Sequence, residues 1–167
     1  MDAKFTTKSQ EVLSGAAMNA STLGNPQIEP AHLLKALMDQ RGSVAVAVLK
    51  AAGADPDVVS TAASSAIKAM PATSGSSVAQ AQLSRQGLLV VQAAQQQAEA
   101  LGDEYVSTEH LLLGLAADAG RAGTALRDAG ATVESLSAAV KQVRGDSRVT
   151  TPDPENTFQA LEKYGTD

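Results

Sequence analysis

The sequence contains no cysteine and no tryptophan, and its aromatic residues are two Phe and two Tyr. Without cysteine the chain forms no disulfide and offers no thiolate, which is compatible with a reducing compartment. The first residues lack the apolar segment of a secretory signal, and no apolar run approaches the roughly 18 residues that a membrane span needs. These absences favour a protein with no membrane-inserted part, and we expect a cytoplasmic location.

Positive charge is also in short supply. Lysine and arginine number 13 against 18 acidic residues, for a net charge of −5 at pH 7, and they form no basic run. Proteins that bind nucleic acid neutralise its phosphates with clustered basic residues. The composition therefore argues against a nucleic-acid partner.

The common catalytic signatures are missing as well. The chain has no Gly-x-x-x-x-Gly-Lys-Ser/Thr phosphate loop, no His-Glu-x-x-His and no Gly-x-Ser-x-Gly. Asp103, Glu104 and Glu109 lie close in sequence, so a small hydrolase with an acid–base pair is one alternative and a solvated rim of charge is the other. We interpret these carboxylates as a rim, and we expect a non-catalytic chain that binds no cofactor, metal or ATP.

Small aliphatic residues, by contrast, are abundant, and they follow a repeat. Hydrophobic residues make up 44% of the chain, a composition that suits close-packed helices. Segment 29–37 has the sequence EPAHLLKAL and segment 107–115 has the sequence STEHLLLGL. A shift of about 78 residues places His32 on His110 and aligns the leucines that follow.

Apolar spacing and capping residues predict four helices in each copy of the repeat. We assign repeat one to 4–70 and repeat two to 83–144, packed about a pseudo-twofold axis because neither alone buries much surface. The predicted class is all-α, an eight-helix pseudo-twofold double repeat. The helices are expected at about 7–21, 30–40, 44–52, 56–70, 85–101, 108–118, 124–129 and 133–144. The buried stripe of the fifth helix is expected to be Leu88, Val91, Ala94, Gln95 and Ala98.

The repeated motif combines a first-turn histidine with leucines one, two and five residues later. We predict that the leucines form the core. His32 and His110 have no metal-ligand or nucleophile spacing, so we expect them to form hydrogen bonds with first-turn amides or a neighbouring loop. An acid near the start of a helix is favourable. Glu109 supplies one in the second copy, whereas Ala31 takes its place in the first.

The composition changes after Gly145, where a polar stretch with two prolines begins. We therefore assign the globular domain to 1–145 and a linker to 146–167. The linker is expected to be mobile over 145–153, where Val149 is the only apolar anchor. Phe158, Leu161 and Tyr164 then recur at helical spacing, as if a further element began there.

The doubled motif, and above all its second copy YVSTEHLL at 105–112, resembles the Clp N-terminal domain family. This family has an eight-helix double repeat carried by AAA+ unfoldases, and the resemblance covers about 4–144. The tail PENTFQALEKYG at 154–165 resembles the segment that joins this domain to the first ATPase module in the disaggregase branch. The resemblance implies that the chain is a fragment of a hexameric ATPase that uses ATP and magnesium outside this fragment.

The resemblance also implies a function and a site. In the disaggregases this domain binds unfolded or aggregated polypeptide, passes it to the ATPase pore, and works indirectly with a DnaK-type chaperone system. The implied polypeptide groove lies near the starts of the first and sixth helices. Mapped onto this chain, its residues are Thr6, Val90, Val91, Asp103, Tyr105, Glu109 and His110. Val91 and Tyr105 would supply apolar contact, with Thr6, Asp103 and Glu109 as a polar rim.

A second reading within the same family is an adaptor-docking domain of a ClpC- or ClpA-type unfoldase in a protease complex. Related ClpC domains recognise phosphorylated arginine through an acidic residue in each repeat. Glu109 preserves one such acid and Ala31 removes the other, which argues against two equivalent sites. The tail sequence also favours the disaggregase branch.

Overall fold

The computed structural model describes residues 4–72, 81–145 and 147–153. Within this part of the chain it contains eight helices and four two-residue strands, which confirms the predicted all-α, eight-helix class. The helices are α1 Thr7–Thr22, α2 Pro30–Asp39, α3 Val44–Ala51, α4 Pro56–Lys68, α5 Arg85–Ala100, α6 Thr108–Ala116, α7 Arg121–Asp128 and α8 Val133–Arg144. The strands are β1 Lys4–Phe5, β2 Gln27–Ile28, β3 Gln82–Leu83 and β4 Tyr105–Val106. In the described ranges no helix is both long and apolar enough to cross a bilayer.

Local chemistry fixes most helix starts. The side chains of Thr6, Ser43 and Ser84 each accept a hydrogen bond from an amide three residues later, which satisfies a donor that the helix leaves unpaired. Helix α7 begins at Arg121, earlier than the expected 124. The reason is Asp118, whose carboxylate accepts from the amides of Gly120 and Gly123 and so organises the turn before the helix.

The short strands exchange partners between the repeats. Strand β1 pairs in parallel with β4, and β2 pairs in parallel with β3. Each repeat therefore aligns its first strand beside the second strand of the other repeat. The repeat periodicity predicts two similar halves but carries no sign of this crossed pairing, which links the two repeats through both strand pairs.

The motif leucines lie at the centre of one continuous core that spans both repeats, as predicted. Helices α2 and α6 bring them together, and their side chains are at most 1% exposed. These residues are Leu33, Leu34, Leu37, Leu111, Leu112 and Leu115.

The predicted face of α5 is partly wrong. Leu88 is 47% exposed, and the buried residues are Gly87, Val90, Val91, Ala94 and Ala98. The stripe begins at Gly87 because the start of α5 passes close to β2: a Cβ at this position would lie 2.7 Å from the carbonyl oxygen of Ile28.

Two helical glycines provide a matched stability test. A Cβ on Gly114 would lie 2.6 Å from the carbonyl oxygen of Val90, whereas a Cβ on Gly15 would meet only Ala36 Cβ at 3.9 Å. Alanine in a helix interior gains about 0.5–1 kcal/mol over glycine. We expect Gly15→Ala to raise the free energy of unfolding by about that amount, and Gly114→Ala to lower it because backbone must move. Urea unfolding of both variants measures this, and equal effects would contradict the close crossing of α5 and α6.

Candidate functional site

The two repeat histidines cap the helices on which they lie. The amide of Glu29 donates to His32 Nδ1 at 2.9 Å, and the amide of Ser107 donates to His110 Nδ1 at 2.8 Å. Because Nδ1 accepts in both cases, Nε2 carries the proton in the neutral ring. It donates to Asn25 Oδ1 at 3.0 Å in the first repeat and to Asp103 Oδ2 at 2.7 Å in the second. This is the first-turn structural role predicted for both residues.

Burial lowers the pKa of His32, although the nearby Glu29 carboxylate acts in the opposite direction. Its ring is fully buried, so a proton added there would be poorly solvated. The neutral form therefore stabilises the fold, and this contribution is lost as the pH falls below the ordinary histidine pKa of about 6.5.

A buried ion cluster surrounds the second histidine. Arg144 Nη2 donates to Asp103 Oδ1 at 2.7 Å, and Arg144 Nη1 donates to Asp103 Oδ2 at 3.0 Å and to Glu109 Oε2 at 3.1 Å. All three side chains are at most 3% exposed. We call Asp103, Glu109 and Arg144 the acid–arginine cluster. Such a bidentate pair balances the cost of burying charge only if its partners stay in place.

The pKa values follow from this geometry. Burial raises the pKa of the Asp103 carboxyl, but hydrogen bonds from His110, Arg144 and the Val149 amide, with the charge of Arg144, lower it to about 2. Burial also disfavours the charged form of Arg144 and so lowers the pKa of its guanidinium. The Asp103 and Glu109 carboxylates raise this pKa by more than burial lowers it. Asp103 and Arg144 are therefore an ion pair at neutral pH.

The equivalent positions in the first repeat carry no charge. The repeat alignment places Asn25 on Asp103, Ala31 on Glu109 and Ile67 on Arg144. Ala31 and Ile67 pack in a small separate apolar cluster. Repeat two thus carries three charged residues where repeat one carries an amide and two apolar side chains, in the same fold.

Residues 147–153, which we call the strap, lie across the acid–arginine cluster and the start of α1. Val149 is 0% exposed. Its amide donates to Asp103 Oδ1 at 2.8 Å, and its carbonyl oxygen accepts from the Glu104 amide at 2.8 Å. Arg144 Nη2 donates to the Ser147 carbonyl at 2.8 Å, and the Thr7 amide donates to the Pro152 carbonyl at 2.8 Å.

The strap lies within the linker assigned to 146–167, and its contacts show that 147–153 packs on the domain, while the expected mobility of this segment stays a prediction. The polar composition hides one apolar side chain, Val149, whose burial is enough to hold a short segment once its backbone groups have partners. The proposed further element around Phe158, Leu161 and Tyr164 lies outside the described residues.

The residues assigned to the polypeptide groove do not form an open surface together. Only Tyr105 is partly exposed, and Lys4 Nζ lies 5.8 Å from its ring centroid. The other six are buried: Thr6, Val90, Val91, Asp103, Glu109 and His110.

Five of these six buried residues have an identifiable structural task, and that of His110 is the helix cap described above. Thr6 caps α1, and its amide donates to the Val106 carbonyl at 3.0 Å. Val90 packs in the core, where its carbonyl faces Gly114. Asp103 and Glu109 belong to the acid–arginine cluster and are buried. The prediction that they form a solvated rim is therefore wrong. They also do not form a solvent-accessible acid–base pair. Glu104 remains exposed.

Sequence reasoning missed Arg144 and Val149 as site residues. The sequence does contain a signal for Arg144. The repeat alignment places it on Ile67, an apolar residue expected to be buried, so a cation at this position predicts a buried charge. Two acids in the same repeat, Asp103 and Glu109, replace uncharged residues in the other copy. Taken together, these replacements predict a charge cluster.

The acid–arginine cluster makes the free energy of unfolding depend on pH in the acid range. The folded-state pKa of Asp103, about 2, lies below the ordinary aspartate value of 3.8. Its contribution is therefore complete above about pH 4 and is lost as the pH falls towards 2, an effect of about 2 kcal/mol. Urea unfolding of the wild type and Asp103→Asn over this range should give a difference in unfolding free energy that shrinks with acid. Parallel pH curves would exclude an ionised, paired Asp103.

A sequence profile described as the Clp repeat N-terminal domain matches residues 4–129. The chain belongs to the Clp repeat N-terminal domain family. It is 47% identical over 162 residues to the chaperone protein ClpB of Corynebacterium efficiens, and 46% identical to that of Mycobacterium tuberculosis. Each alignment covers 97% of this chain but 19% of the relative, so the chain spans about a fifth of the length of these proteins.

Solved Clp N-terminal domains share the fold. The N-terminal domain of Hsp104 from Candida albicans superposes with a TM-score of 0.79, at 20% identity, covering 91% of this chain and 99% of that one. The N-terminal domain of ClpD from Arabidopsis thaliana gives a TM-score of 0.58 at 25% identity, covering 83% and 96%. The eight-helix double repeat is thus the architecture of Clp and Hsp104 N-terminal domains.

Proposed function

We propose that this chain is the substrate-recognition domain of an ATP-dependent disaggregase chaperone, binding unfolded or aggregated polypeptide and passing it to the ATPase pore. The observation that carries this is the 47% identity to a ClpB chaperone over 97% of the chain. ATP and magnesium belong to the rest of the longer, hexameric protein, and a DnaK-type chaperone is an indirect partner. A cytoplasmic location remains our expectation.

The surface we propose for the polypeptide is formed by the start of α1 and strand β4, where the strap lies in this structure. Unfolded chains present backbone groups and short apolar stretches of no fixed sequence. This surface offers the Thr7 and Glu104 amides, both already directed at an extended segment, and the half-buried ring of Tyr105. Such contacts are sequence-tolerant, and after the cost of association they give weak binding.

The adaptor-docking alternative of the ClpC and ClpA type has less support. The carboxylate of Glu109 is buried and paired with Arg144, so an incoming phosphoarginine would have to displace a guanidinium of the same chain. The equivalent acid is absent at Ala31. Binding of a folded adaptor with a defined stoichiometry would favour this alternative.

Tyr105 provides the test of the proposed function. Val91 is unsuitable because it is 7% exposed, and a serine there would disturb the fold. We expect the wild-type chain to bind reduced, carboxymethylated α-lactalbumin with a micromolar or weaker dissociation constant. Tyr105→Ser should weaken binding about fivefold, since part of an aromatic side chain is worth about 1 kcal/mol. Fluorescence anisotropy measures both.

Tyr105→Phe is the matched control, because it keeps the ring over which Lys4 lies. It should bind within about twofold of the wild type. Unchanged binding by Tyr105→Ser would move the polypeptide surface elsewhere, and no saturable binding by the wild type would rule out the function.

A further inference from the structure

The strap is bound as an extended peptide would be bound. Five of its main-chain atoms have hydrogen-bond partners on the domain: the Ser147 amide and carbonyl, the Val149 amide and carbonyl, and the Pro152 carbonyl. A site that holds the backbone at several points recognises a conformation, in the manner of strand addition, whatever the side chains are.

Only one strap side chain is deeply buried. Val149 is 0% exposed and packs against the main core, whereas Arg148, Thr150 and Thr151 are exposed. The site therefore has one aliphatic pocket flanked by backbone contacts. Its occupant needs an extended conformation and a Val-like side chain at one position.

The strap also covers the place where the polypeptide site was expected. It contacts Thr7 at the start of α1, and Asp103 and Glu104 on the approach to β4 and α6. An extended segment of another protein that bound there would need the Thr7 and Glu104 amides and the pocket that holds Val149. The strap and such a segment cannot occupy the site together.

We propose that the strap is a built-in competitor for the polypeptide site, and that a bound unfolded chain replaces it with an extended segment carrying a β-branched or small aliphatic residue in the Val149 pocket. This rests on the proposed function. The apparent dissociation constant is then the intrinsic one divided by the fraction of molecules whose strap is released. Weakening the strap tightens binding of unfolded protein.

The test compares two variants of the full 167-residue chain. Val149→Ser removes the buried side chain, and Thr150→Ser changes its exposed neighbour in the same segment. Labelled, reduced and carboxymethylated α-lactalbumin is the probe, and circular dichroism checks that each variant is folded. We expect Val149→Ser to bind about tenfold more tightly than the wild type, the effect of losing one buried aliphatic side chain. Thr150→Ser should bind as the wild type does.

A synthetic heptapeptide with the sequence of 147–153 gives a second measurement that does not depend on the variant folding. Added at millimolar concentration to the wild-type chain, it should displace the labelled probe, and the peptide with Val149→Ser should not. Tighter binding of the probe by Val149→Ser supports the proposal that the strap is a competitor. If that variant is unfolded, displacement of the probe by the wild-type heptapeptide supports it instead.

The failures are distinguishable. If the wild type binds the probe and Val149→Ser binds it equally or less tightly, the competitor is wrong and the proposed function stands. If Val149→Ser does not fold, failure of the wild-type heptapeptide to displace the probe likewise means that the competitor is wrong and the proposed function stands. If neither the wild type nor the variant binds the probe, both proposals are wrong.

Discussion

Arg144→Ala is expected to lower the free energy of unfolding by about 3–5 kcal/mol, the usual cost of removing one partner from a buried ion pair. The substitution leaves the carboxylates of Asp103 and Glu109 buried without their cation, and the site of the Arg144 side chain is only 3% exposed, so water does not replace it easily. It also removes the donor to the Ser147 carbonyl. Urea or thermal unfolding measures the loss.

The first repeat supplies the matched control. The triple variant Asp103→Asn, Glu109→Ala, Arg144→Ile installs the uncharged residues found at the equivalent positions Asn25, Ala31 and Ile67. Replacing a whole buried ion cluster by packed uncharged residues is often neutral or stabilising. We expect the triple variant to recover most of the loss. A single variant as stable as the wild type, or a triple variant as unstable as the single one, would contradict the buried pairing.

Leu112→Ala and Leu34→Ala should each destabilise the domain by about 2–5 kcal/mol, because truncating a buried leucine loses transfer free energy and leaves a cavity. Both side chains are 0% exposed and occupy equivalent positions in α6 and α2. Thermal or urea unfolding measures the effect. Leu88→Ala is the control, since Leu88 is 47% exposed and should change stability by less than about 1 kcal/mol.

Comparable losses for the two buried leucines would support the pseudo-twofold equivalence of the repeats. Unchanged unfolding midpoints in both variants would contradict the helix faces on which the core is built. A large loss for Leu88→Ala would place the inner face of α5 where the sequence first predicted it.

The helices and their caps were predictable because their signals are local. Thr6, Ser84 and Thr132 are capping residues followed by helical apolar spacing, and each caps a helix in the structure. The roles of His32 and His110 followed from their position in the first turn. The crossed pairing of β1 with β4 was not predictable, because two-residue strands carry no periodic signal and their partners lie in the other repeat.

The candidate site was harder to predict because exposure was inferred from residue type. Asp103 and Glu109 were assigned to a solvated rim, as acidic residues usually are, but their buried partner Arg144 lies more than 30 positions further along the chain. Nothing local connects these residues. Comparing each position with its counterpart in the other repeat, such as Arg144 with Ile67, supplies the missing connection.

The most direct test of the polypeptide site is amide chemical-shift mapping of the isotope-labelled chain during titration with unfolded protein. We predict that the largest shifts occur at Thr7, Glu104 and Val149, where the strap contacts the domain, and at the adjacent Tyr105. The exposed Met18 on α1, 72% exposed, lies away from these contacts and serves as an internal reference. Shifts concentrated around Met18, with Thr7, Glu104 and Val149 unchanged, would contradict a polypeptide site at the strap.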